Sequence, residues 1–213
     1  MTNKVIGIVS YLPDDSNIRS MRESLLRKLI SRLDSLFNLP IIIVAQNWKG
    51  FKVDSYNCTC YHFDKLGITG AREKLRDIFI ESEYEYLIML DDDCEIFGDR
   101  ESALDYLKQI DDHPNGFYEF RSTLLKFFAI SKEIFKEQDY NGINPENEDG
   151  FEDRVFVESL RKKFPQSRYI FKHTKLNEVS INTADHYSTW YKHQDLKKML
   201  ENTDKYLFNE KMD

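Results

Sequence analysis

An α/β fold with a mostly parallel sheet flanked by helices is what this sequence predicts, and three observations lead to it. Within the first hundred residues, β-rich runs alternate with segments of helical periodicity, the pattern of parallel strands joined by crossover helices. One of those runs, "PIIIVAQ" at 40–46, is apolar almost throughout, as a strand covered on both faces must be. The 213 residues, 41% hydrophobic, suffice for one α/β domain of ordinary size with a substantial core.

Each element has its own signal. "KVIGIVSY" (4–11) is short and β-rich, a first strand. In 16–37, Ile18, Met21, Leu25, Leu29, Leu33 and Leu36 recur at spacings of three and four, so a helix with one buried face follows, with Ser16 placed to cap it. Strand 40–46 comes next, then "YNCTCYHF" (56–63), whose alternation suits a third strand. "GAREKLRDIFIES" (70–82) predicts a helix with Ala71, Leu75, Ile78 and Phe79 inward, and "YEYLIML" (84–90) a fourth strand. The second half is less regular. Residues 116–131 predict two strands joined tightly, 131–138 a short helix, and 140–150 a loop rich in Asn, Gly and Pro. A helix over 151–164 places Val155, Phe156, Leu160 and Phe164 on one side; 167–176 predicts a last strand and 193–210 a charged terminal helix. Neither a linker nor a repeat interrupts the chain, which predicts a single domain.

The charge balance narrows the function. A net charge of −7 argues against non-specific nucleic-acid binding, which needs a basic excess. The longest apolar run, "LPIIIVA" (39–45), is far short of a membrane span, and the N-terminus lacks a signal-peptide pattern, so a cytoplasmic protein is expected. Cys58 and Cys60 are one residue apart, too tight for the usual zinc spacing; with Cys94 they read as unpaired thiols of a reducing compartment.

The chemistry concentrates in "YLIMLDDDCEI" (86–96), where a buried strand runs straight into Asp91, Asp92 and Asp93. Adjacent carboxylates repel unless a cation or a hydrogen-bonding partner offsets them. They also stand at the carboxyl end of a strand, where open α/β sheets bind ligands. A solvated acidic turn is the plain alternative. An EF-hand is excluded by spacing: a loop starting at Asp91 has Ile96 and Ser102 at its sixth and twelfth positions, and one starting at Asp93 has Phe97 fifth and Leu104 twelfth. A phosphatase-type motif would need Thr or Val where Glu95 stands.

Three stretches, in order, resemble the nucleotide-sugar-dependent glycosyltransferases of the GT-A fold, especially the inverting, family-2-like group. "KLGITGARE" (65–73) is similar to the group's Gly-x-x-x-Ala-Arg segment. "YLIMLDDDCEI" is similar to its strand and DxD motif, and "GFEDRVFVESL" (150–160), preceded by "FFAISKEIF" (127–135), to its acceptor-side Glu-Asp helix. The likeness spans roughly residues 4–165. It implies a GT-A type fold, Rossmann-like, with a nucleotide-sugar-binding half (1–98), a mixed acceptor-side half (99–192) and a C-terminal helix or tail (193–213). The chain departs from the group at Glu73, where Asn is usual, and at "AQNW" (45–48), where Gln46 or Asn47 stands in for an acidic residue that holds base or ribose.

The resemblance also implies roles. Asp93 would bind Mn²⁺ or Mg²⁺ directly; Asp91 and Asp92 would contact ribose or base, or reach the metal through water, the register being open because the three are adjacent. Arg72, near a helix start, would pair with phosphate, although a surface cation reads the same way. Ser10, Tyr11 and Asp14, in "SYLPDD" (10–15), would lie at the nucleotide, Tyr11 stacking on the base and Asp14 or Asp15 accepting from its edge. Asp153 would be the general base, with Glu152 as backup; their other reading is favourable charge at a helix N-terminus. His186 or His173 would add a metal ligand, and Tyr187, Trp190 and Tyr191 a sugar-stacking wall. The implied partners are a nucleoside-diphosphate sugar, a UDP sugar first, and a glycan or lipid-linked acceptor, with peripheral membrane contact through "WYKHQDLKKML" (190–200) left open. A sugar-phosphate nucleotidylyltransferase and a non-catalytic binding module are the alternatives; the first usually opens with a Gly-rich loop and a basic residue, which "GIVSYLPDD" lacks.

Overall fold

The computed structural model describes residues 3–12, 14, 16–48, 53, 57–92, 94–119, 127–140, 152–171 and 177–180. The chain divides into two compact units, Met1–Ser180 and Ile181–Asp213, and every described residue belongs to the first.

Strands β1 (Lys4–Tyr11), β2 (Ile41–Gln46), β3 (Cys58–Phe63), β4 (Tyr86–Asp91), β6 (Phe117–Glu119), β7 (Phe128–Ser131) and β8 (Arg168–Ile170) form one seven-stranded sheet in the order β3-β2-β1-β4-β7-β6-β8. The first four are mutually parallel; β7 runs antiparallel to both β4 and β6, and β8 returns parallel to β6. This is the α/β sheet that the sequence predicts, mostly parallel in the first half and mixed in the second, as the resemblance to the GT-A fold implies. Strands β5 (Cys94–Phe97) and β9 (Asn177–Ser180) make a separate antiparallel pair.

Alternation along the strands builds two cores. Ile6, Ile8, Ile41, Ile43, Tyr86, Ile88 and Leu90 face one side with α1 (Ser16–Phe37) and α3 (Arg100–Asp111). Val5, Val9, Ile42, Val44, Leu87 and Met89 face the other, under α2 (Gly67–Glu81), α4 (Lys132–Lys136) and α5 (Glu152–Lys163). Each fully buried aliphatic side chain contributes about 1.5–3 kcal/mol, so both helical layers are held chiefly by this apolar burial. Gly7 lets α2 lie close to β1: a Cβ there would sit 2.7 Å from Leu87 Cδ1 and 2.9 Å from Leu75 Cδ2, so both leucines would have to shift. Helix α1 ends at Asn38, whose φ of 52° is the left-handed cap conformation that Asn tolerates. Arg32 donates to the carbonyls of Ile96 (3.2 Å) and Gly98 (2.5 Å), tying α1 to β5 just beyond the acidic cluster.

Several elements differ from the sequence expectation. Helix α2 starts at Gly67, three residues early, because Gly67 takes a φ of 73° and turns the chain in before the apolar face begins. In α5 the buried side chains are Phe156, Val157 and Leu160; Val155 is exposed, since Val157 and not Val155 lies within one turn's arc of Leu160. The strand expected at 167–176 is described as β8, Arg168–Ile170. Strand β5, helix α3 and strand β9 are additional to the elements expected. The terminal helix expected at 193–210 and the loop expected at 140–150, apart from Tyr140, lie outside the described residues.

Candidate functional site

The chain runs from β1 through β2 to β3 at one edge, then returns to place β4 on the other side of β1. The β1/β4 boundary is therefore a topological switch point, where the connections leave on opposite faces and a crevice opens at the carboxyl ends. Val9 pairs with Asp91 there, so Ser10, Tyr11, Asp91 and Asp92 gather at one end of the sheet.

Asp92 turns inward and is buried. Its Oδ2 accepts from Ser10 Oγ at 2.5 Å, and its Oδ1 from Arg22 Nη2 at 3.1 Å. Trp48 Nε1 donates to the same Ser10 oxygen at 3.1 Å, which fixes the direction of the hydroxyl. Strand β1, helix α1 and the end of β2 thus meet on one carboxylate. Both Asp92 oxygens are engaged, so of the two described aspartates Asp92 is the one built into the scaffold.

Asp91 is more open, with 24% of its side chain exposed against 8% for Asp92. Arg72 Nη2, on the buried side of α2 near its start, donates to Asp91 Oδ1 at 3.1 Å. Among the described residues, Asp91 Oδ2 has no hydrogen-bond partner. The two described aspartates are each offset by an arginine from a different helix, Asp91 by Arg72 of α2 and Asp92 by Arg22 of α1.

The end of β2 supports the crevice. Gln46 is buried and its Oε1 accepts from the Leu66 N–H at 2.8 Å, which holds the turn leading into α2. Asn47, with a φ of 60°, donates to Leu12 O and to Asp14 Oδ1, both at 2.9 Å. These polar groups, expected to face base or ribose, are spent on the scaffold that shapes the site. Asp14 is exposed, and the Lys65 ammonium lies 5.9 Å from the centre of the half-buried Tyr11 ring. Glu73, which replaces the expected Asn, serves the scaffold as well. It accepts from Tyr140 N at 2.8 Å and pairs with Arg76 at 3.0 Å, while Arg76 caps the carbonyls of Phe135, Lys136 and Gln138.

Glu152 and Asp153 are the first two residues of α5, at the end where the helix dipole favours carboxylates. Their side chains, and all of Asp93, Asp15, His173 and His186, lie outside the described residues, as do Tyr187, Trp190 and Tyr191. Among the described residues no three His, Cys, Asp or Glu side chains cluster to hold a metal. That does not conflict with a hard divalent ion, which uses one or two carboxylates and draws its remaining ligands from phosphate and water. Asp91, with one uncommitted oxygen, fits such a role; Asp92 does not. A separate cavity of about 350 Å³, lined by Pro40, Ile41, Thr59, Tyr61, Ile78 and Tyr84, opens at the other end of the strands.

Two residues of the site escape sequence reading. Arg22 hides in a helix full of basic residues, and its signal is position: it lies in the second turn of α1, directly after β1, with no acidic residue in the first turn. Trp48 reads as a loop aromatic, and only the fold shows that it touches Ser10.

No family model matches the chain, and no curated protein sequence does. Solved structures do. Staphylococcus aureus TarS (residues 1–349) aligns with a TM-score of 0.57 at 12% identity, covering 87% of this chain and 62% of that one. A glucose-1-phosphate thymidylyltransferase, provisionally assigned, from Bacillus anthracis aligns at 0.56 and 10%, covering 88% and 93%. A protein provisionally assigned as a nucleotide-diphospho-sugar transferase from Desulfovibrio desulfuricans aligns at 0.52 and 11%, over the full length of both chains. The fold is that of nucleotide-diphospho-sugar transferases, and the chain spans about three-fifths of the TarS 1–349 structure.

Proposed function

We propose that this chain is a metal-dependent glycosyltransferase. It moves a sugar from a nucleoside-diphosphate sugar, a UDP sugar first, to a hydroxyl of a glycan or lipid-linked acceptor, with inversion. The observation that carries this reading is the Asp91–Arg72 pair at the switch point: a carboxylate with one uncommitted oxygen beside a buried guanidinium near a helix start. A diphosphate offers the planar Arg72 guanidinium two acceptor oxygens that it can meet with two N–H groups at once, where Asp91 offers it one carboxylate oxygen. Arg72 then exchanges Asp91 for phosphate, and Asp91 is released toward a cation.

Asp91 with Asp93 would hold a Mn²⁺ or Mg²⁺, which would supply Lewis-acid stabilisation of the departing diphosphate. Asp92, already saturated, keeps the turn in place. Asp153 at the start of α5 takes the proton of the acceptor hydroxyl as it attacks the anomeric carbon, a contribution on the order of 10²–10⁴-fold. Tyr11 and Asp14 read the base.

A thermal-shift panel of UDP-, GDP- and CDP-sugars, with and without Mn²⁺, tests the donor. Binding to the folded state raises stability by mass action, about 2.7 kcal/mol at a hundredfold excess over Kd. One donor should stand out, and only with the metal. Silence across the panel would reduce the chain to a non-catalytic binding module. The nucleotidylyltransferase reading is favoured by one finding: the thymidylyltransferase-like structure is matched over nearly its whole length. Incubation with a sugar phosphate and a nucleoside triphosphate decides it, because pyrophosphate release would replace sugar transfer.

A further inference from the structure

The two edges of the seven-stranded sheet are guarded unequally. Strand β8 is three residues long and opens with Arg168, the short, charged kind of edge that deters pairing with another chain. Strand β3 is six residues long, pairs with β2 in unbroken register, and contains neither proline nor a lysine, arginine or carboxylate. From Ser55 to Phe63 the sequence has no Asp, Glu, Lys or Arg, in a chain that is 31% charged. Among the described residues, no strand pairs with the outer side of β3.

The ladder to β2 shows which backbone groups face outward. Ile41 N donates to Asn57 O at 2.7 Å, and Asn47 N to Phe63 O at 3.1 Å, so the odd-numbered residues bond β2. Alternation along the strand then turns the N–H and C=O groups of Cys58, Cys60 and His62 to the open edge. On the α2 side, Thr59 and Tyr61 line the cavity of about 350 Å³ with Ile42, Ile78 and Tyr84, and Tyr61 is 39% exposed. We propose that β3 pairs antiparallel with β3 of a second copy of this chain, about a twofold axis at Cys60, joining the two sheets into one.

The register follows from symmetry. A twofold axis normal to the sheet pairs each residue with one of the same face, and a residue on the axis with itself. With Cys60 on the axis, Cys58 meets the partner's His62, and each such pair exchanges two N–H···O bonds. Any other register sets at least one of the three outward residues against a position beyond the strand. On the α2 side the same register sets the partner's Tyr61 against Thr59, a close side-chain pair that covers the mouth of the cavity. Charge selects the occupant. Each copy carries −7, so two copies repel unless the contact itself is uncharged, as β3 is. Because β1 to β4 are parallel, the β1/β4 crevices of the two copies open toward opposite ends of the joined sheet.

Sedimentation equilibrium of the full chain tests this with no substrate present. One strand and one tyrosine per copy make a small interface, so a Kd of about 1–100 µM is expected. Wild type should show the mass of two chains at about 500 µM and of one chain at about 0.1 µM. Thr59→Lys combined with Tyr61→Lys sets like charges opposite each other at exposed positions and should weaken the dimer about tenfold or more. His62→Pro deletes an outward N–H that β2 does not use and should act the same way. In a Cys58→Ser chain, a short bismaleimide should join Cys60 to the partner's Cys60. Wild type that stays a single chain at about 500 µM, a dimer that neither variant weakens, or a dimer without the 60–60 link would overturn the proposal. The wild-type mass stands as a test even if a variant fails to fold.

Discussion

Two carboxylates at the same end of the sheet are treated differently. Glu119 closes β6, is buried, and meets two arginines: Arg161 through both its Nε (3.1 Å) and Nη2, and Arg168 through its Nε at 3.1 Å. Both of its oxygens are occupied and its charge is more than matched. Asp91 closes β4 with one arginine on one oxygen. A saturated carboxylate can only hold elements together, here β6, β8 and α5. An under-matched carboxylate at a switch point keeps the capacity to bind something else. The contrast separates architecture from chemistry, and five substitutions, one of them made only in combination, test it.

The largest effect falls on Asp91. Asp91→Asn keeps the shape and removes the charge, so sugar-transfer kcat/KM should drop on the order of 10²-fold or more, the scale of losing one preorganised electrostatic partner. Urea denaturation should show a loss of about 1–3 kcal/mol, because the buried Arg72 loses its anionic partner while Asn still accepts from it and the Asp91 side is partly open to water. Normal turnover in this variant would place Asp91 with Glu119 and remove the distinction.

Arg22→Met comes next. It leaves the buried Asp92 carboxylate with Ser10 as its remaining partner among the described residues, and removing one member of a buried pair costs about 3 kcal/mol. Adding Asp92→Asn should recover part of that loss, since the stranded charge is then gone. A double variant no more stable than Arg22→Met would mean that Arg22 acts through packing alone. Glu119→Gln should cost about 2 kcal/mol, less because Arg161 and Arg168 are about a third exposed and rehydrate. Its transfer rate should stay within about twofold at temperatures where it is folded, the mirror image of Asp91→Asn.

What is legible in the sequence follows the same division. Strands β1 to β4 and helices α1 and α2 are readable because their signals are local: period two, period 3.6, and a chain that alternates them. Helix α3 carries readable signals too. Asp99 caps it through Ser102 N at 2.8 Å, and Ala103, Tyr106 and Ile110 recur at helical spacing. The acidic triplet just upstream masks them. Strand β9 is not readable as the partner of β5, because their pairing, Cys94 with Ser180, is set by tertiary packing across a long stretch of chain. At the site, the place is legible from Asp91 and Asp92. The pairing is not: which arginine meets which aspartate depends on the order β2-β1-β4, which stacks α1 and α2 on opposite faces.

The smallest effect tests where the comparison ends. The Asp14 side chain is 90% exposed, with Asn47 Nδ2 at 2.9 Å and Arg19 Nη2 at 3.8 Å. Such surface contacts contribute little, so Asp14→Ala should leave stability within about 0.5 kcal/mol. Structurally Asp14 is the opposite of Glu119, and the same reasoning gives it freedom to meet a ligand. If it accepts a hydrogen bond from the base, its loss should raise the Kd of the preferred donor sugar about five- to tenfold, the worth of one hydrogen bond. Sugars sharing that base should weaken together, whatever the sugar. Unchanged affinity by calorimetry would mean that the end of β1 supports Asn47 and reads nothing, so that exposure at this edge is no guide to recognition and the distinction holds only where an arginine partner is shared.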